Sequence, residues 1–375
     1  MECEYFGRCG SCTLHDQNYE EQLVDKKSRV SSLLSPFFVG DLEVFAGKDE
    51  HYRARAEFRI WHTGDQCDYA MGNITKDGIV TIDECPKVAG PIDAVMTPLK
   101  EMLNRSEELR HKLFAVEFLS TTTGEVLVNL IYHRRLDVEW EKEAKRLEEK
   151  LNIYIIGRSR KQKVVLSREF VAEVLTIDGR LYRYLYYEGG FTQPNPTVNI
   201  KMIGWASDQL KSVGGDLLEL YCGLGNFTLP LSRYFDRVLA TEVSKNSIRA
   251  AKENVELNGV QNISFVRMSS EEMVEAFDGA RPFRRLAEAG VELADYRFSA
   301  VLIDPPRAGL DPATIELVRR FEYILYISCN PDTLARDLAV LCDTHMVISG
   351  AVFDQFPHTY HIESGVLLHN KSRHL

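Results

Sequence analysis

The 375-residue chain has no apolar run long enough to cross a bilayer and no pattern of a secretory leader. Both absences predict a cytoplasmic protein, where eight cysteines would be reduced thiols or metal ligands, not disulfides. Excess positive charge is missing too. The formal net charge of −10 argues against indiscriminate nucleic-acid binding, while a local basic surface stays possible. No internal repeat or low-complexity tract stands out. The first three cysteines lack the C-x3-C-x2-C spacing of radical enzymes, which sets that chemistry aside. What is left is an ordinary soluble composition, 45% hydrophobic and 27% charged, on a chain long enough for two domains with their own cores.

The stretch Tyr326-Ile327-Ser328-Cys329-Asn330-Pro331-Asp332-Thr333-Leu334 organises the reading. An apolar run over 323–327 predicts a buried parallel strand, and 333–341 predicts the helix after it. Cys329 then lies on the turn at the strand's carboxyl end, where open α/β sheets place their chemistry. Three further runs before it have the same character. Residues 216–227 read as a strand, a glycine turn (Tyr221-Cys222-Gly223-Leu224-Gly225-Asn226) and a helix, and the turn presents free N–H groups. Residues 238–242 close a second strand on Glu242, nineteen residues beyond Gly223, a distance that suits ribose hydroxyls. The G-x-x-G spacing that grips a pyrophosphate is absent, so a nucleoside ligand without phosphates, S-adenosylmethionine, fits better than a dinucleotide. Residues 300–303 end in Asp304-Pro305-Pro306-Arg307. Glu242, Asp304 and Cys329 thus converge on one rim, and Glu363 at the head of the last strand adds a carboxylate able to act as a base.

The first half reads differently. Cys3, Cys9 and Cys12 lie on a glycine-containing loop, with Cys85 the first candidate for a fourth thiol and Cys67 the second. Four thiolates suit an iron–sulfur cluster or tetrahedral zinc, and spacing does not separate the two. Residues 18–34 have helical spacing and predict a packing helix. In 51–62, alternation puts Arg53, Arg55, Glu57 and Arg59 on one strand face and Tyr52, Phe58 and Ile60 on the other, a guanidinium row suited to phosphates. Strand-like runs at 114–121, 125–132 and 152–156 alternate with helical segments at 91–105 and 138–151 and with basic clusters at 133–135 and 158–163. The expected organisation is therefore an α/β protein of an N-terminal α+β domain with the cysteine cluster (1–180) and a C-terminal Rossmann-like domain (181–375). Helix 18–34 is placed to pack on the second of these.

The combination FTQPN, LLELYCGLGNF, ATEVS, DPPRAGLD, YISCNPDTLARD and FDQFPHTYHIE resembles the RNA uridine C5-methyltransferases. Together with HYRARAEFRIWH, HKLF and an arginine-bearing insertion at 278–296, the likeness is closest to the tRNA/tmRNA branch, and it runs over nearly the whole chain. The N-terminal cysteine set is instead similar to the iron–sulfur ligands of ribosomal-RNA-modifying relatives. The resemblance implies that the first domain is an RNA-binding domain and the second an S-adenosylmethionine-dependent methyltransferase domain. The implied reaction is methylation of uracil C5, at the T-loop uridine (position 54) of tRNA and its tmRNA equivalent. Cys329 would be the nucleophile adding to C6, and Glu363 the base. It implies cofactor contacts from Gln193, Tyr221, Gly223, Asn226, Glu242 and Asp304, and a 4Fe–4S cluster on Cys3, Cys9, Cys12 and Cys85. RNA contacts are expected from Arg307, Phe114, Arg53 and Arg55, with the insertion helping to choose the RNA. A monomer binding the tRNA T-arm, with no membrane partner, completes the expectation. The same reaction on 23S rRNA, or a tRNA-folding role, are the alternatives.

Overall fold

A computed structural model describes residues 1–373. Its centre is an eight-stranded sheet in the order Glu43–Phe45, His345–Phe353, Glu363–Asn370, Tyr323–Ser328, Phe298–Ile303, Asp216–Leu220, Arg237–Thr241, Ile263–Val266. The five strands from Tyr323–Ser328 to Ile263–Val266 run parallel, whereas Glu363–Asn370 runs antiparallel to both its neighbours. The central strands read as unbroken apolar runs because both faces are covered, and every residue of Asp216–Leu220 is buried. The order of central strands reverses between Asp216–Leu220 and Phe298–Ile303, so the rim at their carboxyl ends is a topological switch point. The Rossmann-like fold expected from the sequence is the fold observed.

A second, seven-stranded sheet runs Ile79–Ile82, Gln66–Gly72, Arg55–Thr63, Leu113–Ser120, Val126–Tyr132, Tyr154–Ser159, Gln162–Val165. Its one parallel pairing joins Val126–Tyr132 to Tyr154–Ser159 through the helix Val138–Leu151. Helices Gly90–Arg105 and Val138–Leu151 cover one face, over Phe58, Tyr69 and Phe118, and the second helix adds its own Trp140 to that core. On the strand Arg55–Thr63 the alternation holds: Ala56, Phe58 and Ile60 are buried while Glu57, Arg59 and Trp61 are exposed.

Two segments cross between the sheets. The hairpin Phe170–Ile177/Arg180–Tyr187 packs Val171, Leu175, Tyr184 and Tyr186 into the core that holds Trp205, Leu217 and Phe353. The helix Tyr19–Leu34 is capped by Asn18, whose side chain bonds Glu21 N while Glu21 bonds back, and it buries Val30 and Leu34 against the other face of the eight-stranded sheet. No helix among the described residues is long and apolar enough to cross a membrane.

The insertion departs from expectation. Arg281, Arg284 and Arg285 are each engaged by a nearby carboxylate, of Glu275, Glu288 and Glu272. The segment ends at the amino ends of the central strands, where Arg297 N–H donates to Asp216 at 2.6 Å and Arg237 stacks over Tyr296. That is the edge opposite Cys329, so a role in choosing the RNA is not supported by its position.

Candidate active site

The strand Tyr323–Ser328 ends at Cys329, and the helix Pro331–Leu341 starts two residues earlier than its periodicity suggested. Pro331 has no N–H to satisfy and suits the first helical position, while the Asn330 side chain accepts from Asp332 N–H. Cys329 is therefore held between a buried strand and a capped helix. The antiparallel register sets Ser328 opposite Ser364, which brings Cys329 and Glu363 together at the end of one ladder. Burial, then the carboxyls of Glu363 and Asp304, push the Cys329 thiol up to about 11, with Arg307 pulling the other way. Burial and Asp304 likewise raise the Glu363 carboxyl well above its ordinary range, again against Arg307. Asp304, at the end of Phe298–Ile303, is pushed up to about 7 by burial.

Arg307 lies with Nη2 3.1 Å from His361 Nδ1, and its carbonyl accepts from Asn330 Nδ2 and Thr333 Oγ1. The loop it stands on is clamped by two residues that sequence reasoning passed over within the quoted motif. Asp337 accepts from Leu310 N–H at 2.9 Å and Tyr326 hydroxyl at 2.6 Å, and Arg336 donates to the Ala308 and Leu310 carbonyls. Gly309 is required there: its φ is +74°, and an added Cβ would lie 2.6–2.7 Å from Arg336 and Asp337.

A neighbouring cavity is lined by Gln193, Tyr221, Gly223, Asn226 and Asp304, five of the six expected cofactor contacts. The sixth, Glu242, stands beside it and accepts from Gly223 N–H at 3.2 Å and Ser244 N–H at 2.8 Å. The turn holds Tyr221 at φ +61°, a strained state for a residue other than glycine, and Gly223 at +56°, which glycine adopts freely. Tyr221 hydroxyl bonds Ser270, and the Asn226 amide is paired reciprocally with Asn199 at 2.9 Å. Glu219, an acid within the apolar run of its strand, also lines this cavity. It is buried, its Oε2 has no partner among the described residues, and burial pushes its carboxyl up to about 8. Such a carboxyl stays neutral until a cation reaches it. The residues present thus fit a cationic nucleoside: N–H groups and an acid for a ribose, buried carboxyls for positive charge.

The cysteine expectation is met in part. Cys3, Cys9, Cys12 and Cys85 do line one cavity of about 360 Å³, which Cys67 does not, and burial raises the Cys3, Cys12 and Cys85 thiols. Among the described residues, however, no three His, Cys, Asp or Glu side chains form a group that could hold a metal ion. The thiols border a space without closing on a point, so this geometry does not support the expected iron–sulfur cluster.

Of the expected RNA contacts, Arg53 stacks over Phe356 and shares the cysteine cavity's outer wall with Arg307 and His361. Arg55 instead donates to the Gly190 carbonyl at 2.5 Å and ties the second sheet to the segment carrying Gln193. Phe114 is not a core residue: an irregularity in strand register turns it outward, 38% exposed and stacked on His133 at 4.2 Å. A cavity of about 860 Å³ opens beside it, lined by His133, Arg134, Arg135, Arg158, Arg160 and Lys161. Within the 158–163 cluster, Arg158 and Lys163 are engaged by Glu188, and Arg160 and Lys161 are exposed.

The comparisons agree with this architecture. Residues 18–371 match the family model described as tRNA (Uracil-5-)-methyltransferase. A tRNA/tmRNA (uracil-C(5))-methyltransferase of Sulfurovum sp. (strain NBC37-1) is 62% identical over 99% of this chain and 100% of its own length. That of Neisseria meningitidis serogroup A / serotype 4A (strain DSM 15465 / Z2491) is 50% identical over 94% and 99%. Among solved structures, the tRNA (uracil-54, C5)-methyltransferase of Pyrococcus abyssi in complex with S-adenosyl-L-homocysteine superposes with a TM-score of 0.72 at 25% identity, over 96% of this chain and 85% of that one. With the methyltransferase sheet, the nucleoside cavity and the Cys329–Glu363 ladder end in one place, the chain belongs to the tRNA (uracil-5-)-methyltransferase family.

Proposed function

We propose that this protein methylates C5 of the T-loop uridine (position 54) of tRNA, and the equivalent uridine of tmRNA, through a covalent adduct between Cys329 and uracil C6. The observation that carries the reading is the juxtaposition of Cys329 and Glu363 at one ladder end, beside the cavity of Gln193, Tyr221 and Asp304. S-adenosylmethionine supplies the electrophilic methyl group; the residues above supply everything else. Uracil C5 is too weak a nucleophile to take a methyl group directly. When the Cys329 thiolate bonds C6, the C5–C6 π pair moves into an enolate, and C5 gains the electrons to attack the methyl carbon, whose bond to the sulfonium sulfur would break to leave a neutral thioether. Glu363 then removes the C5 proton, the C5–C6 double bond re-forms, and the C6–sulfur bond breaks to return the thiolate. Arg307 is placed to steady the enolate oxygen. The target base must leave its stack to reach this recess, and the exposed Phe114–His133 stack is suited to unstacked bases of the loop.

The open face of the second sheet and the basic cavity at its end form the RNA surface in this reading. An isolated T-arm hairpin is the test substrate. It should be methylated while a 23S rRNA hairpin is not, and the reverse result would move the substrate to ribosomal RNA. Arg160→Ala/Lys161→Ala should raise KM for the hairpin more than it lowers kcat, because phosphate contacts hold substrate and transition state alike. It should also make the salt dependence of binding shallower: on a log–log plot the slope should fall by about 0.7–0.9 for each phosphate no longer neutralised. An unchanged slope would remove these two side chains from the interface.

A 4Fe–4S cluster on Cys3, Cys9, Cys12 and Cys85 is kept in the proposal from the sequence resemblance alone, since the four thiols share a cavity but, among the described residues, form no group able to hold a metal ion. Methyl transfer moves no electrons, so its role would be structural, tying residues 3–12 to the second sheet. Protein purified without oxygen should contain iron and sulfide. Zinc alone would replace the iron–sulfur assignment with a tetrahedral zinc site, and no metal would show that the thiols stay free.

A further inference from the structure

We infer that Lys26 is a positioning residue for Glu363: the helix Tyr19–Leu34 latches the segment 354–362 and so holds the carboxylate where it can take the C5 proton. The inference rests on the reading of Glu363 as the base.

The nine residues 354–362 connect the strands His345–Phe353 and Glu363–Asn370. Left to itself, a connection of that length samples many conformations, and Glu363 is the first residue after it. Tyr52 hydroxyl on the Pro357 carbonyl and the Thr13 and Leu14 N–H groups on the His358 carbonyl hold part of the connection, and the helix adds its own grip with one face. Gln22, Lys26, Val30 and Leu34, spaced by four, are its buried residues. The last two sit in the core under the catalytic sheet; the first two grip the connection. Lys26 Nζ donates to Asp354 Oδ1 at 2.6 Å and to the Phe356 carbonyl at 3.0 Å. Gln22 Oε1 accepts from His358 N–H at 2.8 Å, and its Nε2 lies 3.1 Å from His358 Nδ1. His358 is at φ +62°, a backbone state that a free chain rarely holds at a residue other than glycine.

Stability does not explain the lysine. Lys26 is 3% and Asp354 0% exposed. A buried pair of this kind is commonly matched or bettered by apolar side chains of similar size, so its merit lies in directing the chain. The helix also reaches the other catalytic segment, since Arg29 pairs with Asp332 in the first turn of the helix after Cys329. That pair is exposed and contributes little, but it shows that one helix spans both segments. Cys329 itself is held by its own strand and cap, and Asp354 N–H stays bonded to the Phe45 carbonyl whatever Lys26 does. What loosens on losing Lys26 is therefore the connection leading into Glu363, whose backbone stays paired with Phe353 while its side chain loses the packing that aims it.

The test uses the full-length protein, a T-arm hairpin and labelled S-adenosylmethionine. First-turnover methylation, covalent protein–RNA adduct and multiple turnover are measured separately. Lys26→Met alone would strand the buried Asp354, so Lys26→Met/Asp354→Leu, which leaves no buried charge, is measured beside it, and Lys26→Arg serves as the conservative rescue. In the double variant the first methyl transfer should proceed at the parental rate. Multiple turnover should fall on the order of 10- to 100-fold, the scale expected for a misplaced catalytic group, and the methylated adduct should accumulate. Lys26→Arg should restore release. A double variant that melts at the parental temperature yet shows no more adduct than the parent overturns the latch. Glu363→Gln is the reference: if it traps adduct and the double variant does not, only the latch fails; if it traps none, the reading of Glu363 fails and the latch with it.

Discussion

Cys329→Ala is expected to abolish methyl transfer, by a factor on the order of 10⁴ or more, while S-adenosylmethionine binding stays within about twofold of the parent. The loss is large because nothing else can raise the electron density at C5: without a bond to C6 there is no enolate and no nucleophilic carbon. The binding is spared because the cofactor cavity is built on other strand ends, from Tyr221, Gly223 and Asp304. The pH dependence should carry the same signature. With the thiol pushed up to about 11, the thiolate is the minor form at neutral pH and increases tenfold per unit. The parental kcat/KM should therefore rise with pH, less steeply once a cationic cofactor beside Asp304 and Glu219 has shifted the balance toward thiolate. Radiolabelled methyl transfer and calorimetric titration of the cofactor check the two halves. Turnover by the alanine protein would eliminate the covalent route.

Glu363→Gln should behave in the opposite way early in the reaction and just as severely late. Addition of the thiolate and methyl transfer need no base, so the first methyl group should enter the RNA. Elimination then stalls on the C5 proton, and a protein–RNA species carrying the methyl label should persist on a denaturing gel. Multiple turnover should drop by about 10²–10⁴-fold, the range over which a positioned base acts. The glutamine side chain keeps the size of a glutamate that is buried and biased toward its neutral form, so folding should be little disturbed. Unchanged turnover with no adduct would assign the proton to another group.

Much of the site was legible because its parts are local. Buried parallel strands announce themselves as apolar runs, and the residue that follows each run must lie on the rim; this is how Glu242, Asp304 and Cys329 could be placed together. Glycine turns are equally short-range, and the Gly223 turn is found where its neighbours suggested. Charge was another matter. Arg158 and the insertion's arginines looked available in the sequence, yet each faces a carboxylate, and Glu188 lies thirty residues from Arg158. Glu219 looked like one acid in an apolar strand, and only the packing around it shows a buried carboxyl on a cavity wall.

The sequence by itself determined the strands and helices that carry the site, their order, the residues at those strand ends and the family resemblance, since periodicity and motifs need only near neighbours. The tertiary structure alone decided which distant groups meet: Lys26 with Asp354 across 328 positions, Gln22 with His358 across 336, and four thiols that share a cavity without forming a group able to hold a metal ion. The physical reason is that a side chain's propensity is written in its own covalent structure, whereas its partner, its burial and hence its charge state are set by whatever the folded chain brings against it.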